Sequence, residues 1–279
     1  MLFKYEFLKI IKRKSTIIIF LLGLLMTTVF FSLPIIQYQA FTQEKMITGL
    51  EGISYNKNNE LEMAELLTEE VITDLIFEYQ QLFEDPSHVG YDGKSEFLID
   101  DAYWEFEVPR LKFLRMAMDN YSPPDITLIV DRLREVDLTN GAQFYETRNN
   151  KIETLVQNPE RELSVSQQDF WLEMNSQVQT PFEYGFSEGW NVILSATELL
   201  LFGILLVCII LAPVFAGEYQ SGADAIILSS KYGKTKLSFA KITAALWFGL
   251  LVFSFYVIVA CSILLLAFGV EGWNLLYKL

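Results

Sequence analysis

Three stretches of the chain carry no charged residue: Thr16–Ile36, Leu199–Ala216 and Ile242–Val270, of 21, 18 and 29 residues. About 20 consecutive apolar residues cross a bilayer as a helix, and the hydrocarbon offers an open backbone no hydrogen-bond partners. Each stretch is therefore expected to be a transmembrane helix, with spans over residues 15–36, 191–216 and 242–270. The third is long enough to tilt. The first is too long for the core of a secretory signal, and IIQYQAFTQ at its end lacks a small-x-small cleavage pattern, so an uncleaved anchor is expected.

The rest of the chain is unusually acidic for so apolar a protein. Hydrophobic residues make up 52% of it, yet the formal net charge is −14, so the two properties must be segregated along the sequence. Residues 37–190 hold 30 acidic and 11 basic residues. Basic residues gather instead in residues 1–14, with Lys4, Lys9, Lys12, Arg13 and Lys14, and in residues 217–241, with Lys231, Lys234, Lys236 and Lys241. The positive-inside rule makes both basic segments cytoplasmic, which leaves 37–190 and the short tail 271–279 outside. Lys9, Lys12, Arg13 and Lys14 are expected to lie against anionic membrane lipids.

The 37–190 insert has the size of one domain. Apolar residues recur at three and four through Glu60–Phe83, which reads as one long helix. Leu111–Met118, Ile126–Val136 and Lys151–Gln157 read as shorter ones. Pro and Gly punctuation falls at residues 85–87, 91–93, 122–124 and 140–141. No period-two alternation is evident. The expected fold class is an all-α integral membrane protein, three transmembrane helices with a large, mainly helical extracellular domain between the first and second. The acid surplus reads as a solvated face rather than a cation-collecting one. Glu69-Glu70 and Asp100-Asp101 lack the alternating ligands of a calcium loop.

Catalytic constellations are not evident. The one histidine, His88, lies in DPSHVGYDG with no nucleophile-elbow pattern. The two cysteines, Cys208 and Cys261, fall inside apolar spans; neither a structural zinc site nor an external disulfide framework is expected. Gly233-Lys234-Thr235 imitates the end of a phosphate-binding loop, but position 228 is Leu where that loop needs Gly. No cofactor, metal or nucleic acid is expected, and the chain is not expected to be an enzyme. Pro213 can kink the second span, Gly23 and Gly249 permit close helix approach, and Glu198 is expected at the outer membrane edge.

Residues 217–242, GEYQSGADAIILSSKYGKTKLSFAKI, are too long for a hairpin turn. Ala223–Ser230 is expected to form a short helix, Asp224 lying near its positive end and Gly233 supplying a left-handed cap. A short cross-helix between two spans is either a mechanical handle or a helix lying on the bilayer.

Glu218-Tyr219, Ser221-Gly222, Asp224-Ala225, Ile227–Ser230, Tyr232–Lys234 and Ala240-Lys241 resemble the loop between the second and third spans of bacterial ATP-binding-cassette (ABC) exporter permeases of the type 2 class. PFEYGFSEGW at 181–190 and the basic N-terminal segment are similar to the same family, whose elbow helix lies along the inner leaflet. The resemblance covers residues 1–36 and about 165–270, while the external domain is similar in placement and style more than in motif. It implies a permease subunit that docks a separate cytosolic ABC ATPase. The contacts it implies are Glu218, Tyr219, Gly222, Asp224, Ser229, Ser230 and Lys234. Such permeases usually have six spans, so a second permease unit or a C-terminal half is an implied partner. The other class of function left open is a membrane-anchored extracellular binding or sensing protein.

Overall fold

The computed structural model describes residues 2–124, 126, 128–230, 233–273 and 275, apart from the side chains of Leu199, Phe215, Asp224, Leu228 and Lys234. It is 73% helical and divides into two compact units, Met1–Tyr38 with Glu188–Val270, and Gln39–Ser187 with Glu271–Leu279.

In chain order, α1 (Leu2–Ile11) and α2 (Lys14–Ile36) open the first unit. The second unit follows with β1 (Gln39–Phe41), β2 (Met46–Thr48), α3 (Gly49–Glu62), β3 (Glu65–Leu67), α4 (Glu69–Leu82), β4 (Val89–Tyr91) and β5 (Glu96–Leu98). A π-helical turn over Ala102–Glu107 runs into α5 (Val108–Tyr121), and a 3₁₀ turn over Val130–Glu135 precedes α6 (Phe144–Gln157), α7 (Val165–Ser176) and β6 (Phe182–Tyr184). The first unit then resumes with α8 (Glu188–Ser195), α9 (Leu200–Gln220), α10 (Ala223–Ser229) and α11 (Ser238–Phe268).

Among the described residues, three helical segments are long and apolar enough to cross a membrane: Lys14–Ile36, Leu200–Gln220 and Thr235–Phe268. All three are hydrophobic on every side, and only spacing reveals the packed face. In α2 that face is Thr16, Gly23, Thr27 and Phe31; in α9 it is Leu206, Ile210 and Val214. In α11 it recurs every four residues from Ala244 through Phe248, Val252, Tyr256, Ala260 and Leu264 to Phe268. Leu21, Leu25, Leu205, Leu250, Ile258 and Leu266 stay exposed, the surface that lipid rather than water would cover. Glycine admits the closest approaches. A methyl on Gly23 would overlap the Tyr256 hydroxyl and come within 2.8 Å of Leu206 Cδ1, and one on Gly249 would meet Val207 Cγ1 at 3.0 Å. Pro213 lies within α9 and Pro34 near the end of α2. Glu198 is exposed in the 3₁₀ turn before α9.

The second unit has its own core, in which Ile72, Ile76 and Tyr79 of α4 meet Phe113, Leu114 and Met118 of α5, with Leu133, Phe144 and Phe182 around them. The long helix expected over Glu60–Phe83 is two helices. It breaks after Glu62 because β3 pairs antiparallel with β6, Glu65 opposite Tyr184, and because Thr68 Oγ1 accepts the Val71 N–H to begin α4 afresh. The partner strand lies over a hundred residues away, beyond the reach of local periodicity. The all-α expectation thus misses the six strands of three residues each found among the described residues, in three antiparallel pairs; runs that short carry no legible alternation. Glu69 accepts the N–H groups of Phe144 and Tyr145 at 2.8 and 2.9 Å, so its carboxylate caps α6. Ser164 and Gln167 form a capping box on α7.

Candidate functional site

The polar stretch after α9 is built around one carboxylate. Glu218, in the last turn of α9, accepts from Lys9 Nζ of α1 at 2.8 Å through Oε1, and from Lys241 Nζ of α11 through Oε2. Lys241 is only 5% exposed. A buried ammonium is tolerated only when paired and hydrogen-bonded, so Glu218 is the condition for burying Lys241. Three helices distant in sequence meet at this carboxylate. Phe7 adds an edge-to-face contact with Phe248 at 6.0 Å, and Ile10 is buried beside it, which fastens α1 along α11.

Beyond Glu218 the chain turns outward. Tyr219 is 78% exposed. Gly222 takes φ 68°, the left-handed region, and begins α10; nothing lies within 4 Å of where its Cβ would be. The left-handed glycine of this loop is therefore Gly222, at the start of the short helix, and not Gly233 at its end. Gly233 is buried and donates its N–H to the Ser230 carbonyl. It passes so close to the Ile227 carbonyl that no side chain fits, and it opens a π-helical turn over Gly233–Leu237. Along α10, Ile226 is 74% exposed. Ser229 and Ser230 are exposed and donate to the carbonyls of Ile226 and Ile227 at 2.9 and 2.8 Å, closing the helix's last turn.

Of the residues singled out from the sequence, Tyr219, Gly222, Ser229 and Ser230 are exposed, whereas Glu218 is tied inward. The side chains of Asp224 and Lys234, and Lys231 and Tyr232 entirely, lie outside the described residues. The basic N-terminal group divides in the same way. Lys12 and Lys14 are exposed and Lys9 reaches Glu218. Arg13 separates α1 from α2 in an extended conformation, its guanidinium against Gly217. In the sequence Lys241 reads as a loop charge and as part of the family-like motif, not as a buried ion-pair partner. Its position at the head of a 29-residue apolar run, where a lone ammonium needs a counter-charge, was the available signal.

No group of three or more His, Cys, Asp or Glu side chains able to hold a metal occurs among the described residues. No protein-family model, curated protein or solved structure matches the chain.

Proposed function

We propose that this chain is the membrane permease subunit of an ABC exporter of the type 2 class, coupling ATP hydrolysis by a separate cytosolic ATPase to movement of a lipid, peptide or small amphiphile. In this reading the N-terminus and α10 face the cytoplasm of a bacterial cell, and residues 37–190 lie outside. One observation carries it: α10 is short and exposed, yet the α9 end that bears it is tied by Glu218 to both α1 and α11. A force applied to α10 cannot be absorbed by a loose loop; it is delivered to three helices at once. Tyr219, Ile226 and Ser229 form the surface offered to the ATPase, and the chemistry of hydrolysis belongs wholly to that partner. A second permease unit completes the assembly.

The test is co-purification from membranes solubilised in mild detergent, scored by vanadate-sensitive ATPase activity. The full chain retains that activity, and Ile226→Asp or Tyr219→Ala loses it while membrane insertion and unfolding temperature are unchanged. An unmodified chain that retains no ATPase activity defeats the proposal. That result favours the second reading, an extracellular binding or sensing protein, for which the large cavity in the second unit is the supporting observation.

A further inference from the structure

The second unit contains a cavity of about 780 Å³ between β1, α3, the π-helical turn and α5. That volume is within the range of small-molecule sites, which pair apolar walls with a few convergent polar groups. The walls here are Phe41, Tyr103, Trp104, Val108, Pro109 and Met116. Tyr103 and Trp104 come from the π-helical turn, a rare geometry concentrated at functional sites.

Of the polar groups on the lining, Lys112, Arg115 and the Trp104 indole only donate, Glu60 and Asp119 only accept, and Gln39, Asn56, Asn59 and Tyr103 can do either. Lys112 gives one of its three protons to Glu60 at 2.7 Å, which settles the charge of that pair. Arg115 makes no ion pair with any described residue, the Trp104 indole N–H has no acceptor among them, and the Asn59 amide is equally uncommitted. Glu107, whose charge Arg115 senses, is pushed up to about 7 by burial and by Asp131, so near neutrality it offsets the guanidinium only in part. Asp119 is the one acid on the lining that opposes an anion without being paired.

We propose that this cavity binds an amphiphile with an apolar body and a single phosphate or carboxylate head, the head on Arg115 and the body against Trp104 and Tyr103. Guanidinium and indole donors suit an oxyanion, the first through its planar fork, and the aromatic walls supply the apolar contact. The acidic surface of the domain does not forbid an anion, because charges more than about 8 Å away are largely screened at physiological ionic strength. The inference is independent of coupling to an ATPase.

The experiment uses the full chain in phosphatidylcholine nanodiscs, titrated calorimetrically with octyl phosphate, octanoate and octylammonium against empty nanodiscs. The expected result is saturable binding of octyl phosphate and octanoate, with octylammonium at least tenfold weaker. Arg115→Glu lowers octyl phosphate affinity at least tenfold and Asp119→Asn raises it. Both residues are exposed on α5, and unfolding temperatures confirm that the variants fold. Repeating the titration in nanodiscs containing phosphatidate assigns the source: weakened octyl phosphate binding marks a bilayer lipid, unchanged binding a solute. Equal affinity for octylammonium, indifference to Arg115→Glu, or no saturable binding above empty nanodiscs overturns the proposal.

Discussion

The Tyr256 hydroxyl donates to the main-chain carbonyl of Phe20 at 3.0 Å, and Gly23, one turn on, leaves the space that its ring occupies. The contact joins α11 to α2 through a buried phenol rather than through apolar surface alone. In a bilayer that distinction has weight, since lipid tails are as apolar as any side chain and helices gain little from mere hydrophobicity. Replacing Gly23 by Val forces Tyr256 and Leu206 aside and is expected to cost about 1–3 kcal/mol. Tyr256→Phe removes only the hydrogen bond and is expected to cost about 0.6 kcal/mol. Thermal unfolding in nanodiscs ranks the two, and a costlier Tyr256→Phe would show that the hydroxyl, not the fit, holds the pair.

Glu218 should behave as a keystone for Lys241. Glu218→Ala strands a buried ammonium and is expected to cost about 3–5 kcal/mol. Lys9→Ala removes a half-exposed partner and is expected to cost no more than about 1 kcal/mol. The paired change Glu218→Leu with Lys241→Met removes both charges and should recover most of the loss. A double-mutant cycle read from unfolding midpoints measures it; additive effects would dissolve the triad.

Gly222 can be tested apart from any partner. Its φ of 68° disfavours a side chain by roughly 1–2 kcal/mol, and the open space around it leaves no steric complication. Gly222→Ala should therefore speed amide hydrogen exchange along Ala223–Ser229 several-fold and leave α9 and α11 unaffected. Equal protection in both chains would count against the left-handed turn.

Burial and the neighbouring Asp131 push the Glu107 carboxyl up to about 7, while the Tyr79 hydroxyl and, less strongly, Arg115 oppose the shift. Glu107 is 7% exposed, and its Oε2 has no hydrogen-bond partner. Tyr79 donates to Asp131 at 3.3 Å, and burial raises the Asp131 carboxyl in the same sense. A carboxyl raised in the folded state holds a proton that the unfolded chain has released. Its contribution is therefore complete below the unfolded value near 4.5 and is lost as pH climbs to about 7. The unmodified chain should lose stability over that interval by on the order of 2–3 kcal/mol relative to Glu107→Gln. Urea unfolding of both proteins at pH 5 and pH 8 checks the sign; parallel profiles would contradict it.

How much of this was legible beforehand differs by element. Unbroken apolar runs announced α2, α9 and α11, because a run without charge has few alternatives. The short helix after Gly222 was legible from the polar interval between two such runs. Neither β3 nor the break before α4 was, since β3 exists only through its pairing with β6. The meeting of Lys9, Glu218 and Lys241 was equally hidden: the sequence offers Lys9 to lipid, Glu218 to a partner ATPase and Lys241 to the loop, and only the fold brings the three together. Gly233 drew attention as a cap because it follows an apolar segment, but the crowding by the Ile227 carbonyl that shapes its role is a property of the folded turn. The cavity beside Arg115 collects residues from β1, α3 and α5, and no single window contains them.

The order in which a ribosome delivers these residues has a consequence for biogenesis. Lys9 emerges first, Glu218 more than two hundred residues later, and Lys241 last. Until the first turn of α11 has been made, the carboxylate has only one of its two ammonium partners, so α1 can be held in place but not locked. The bundle's final clasp closes only once the last long helix begins to arrive, and a nascent chain halted before that point would expose an unfinished junction to whatever surveys the membrane.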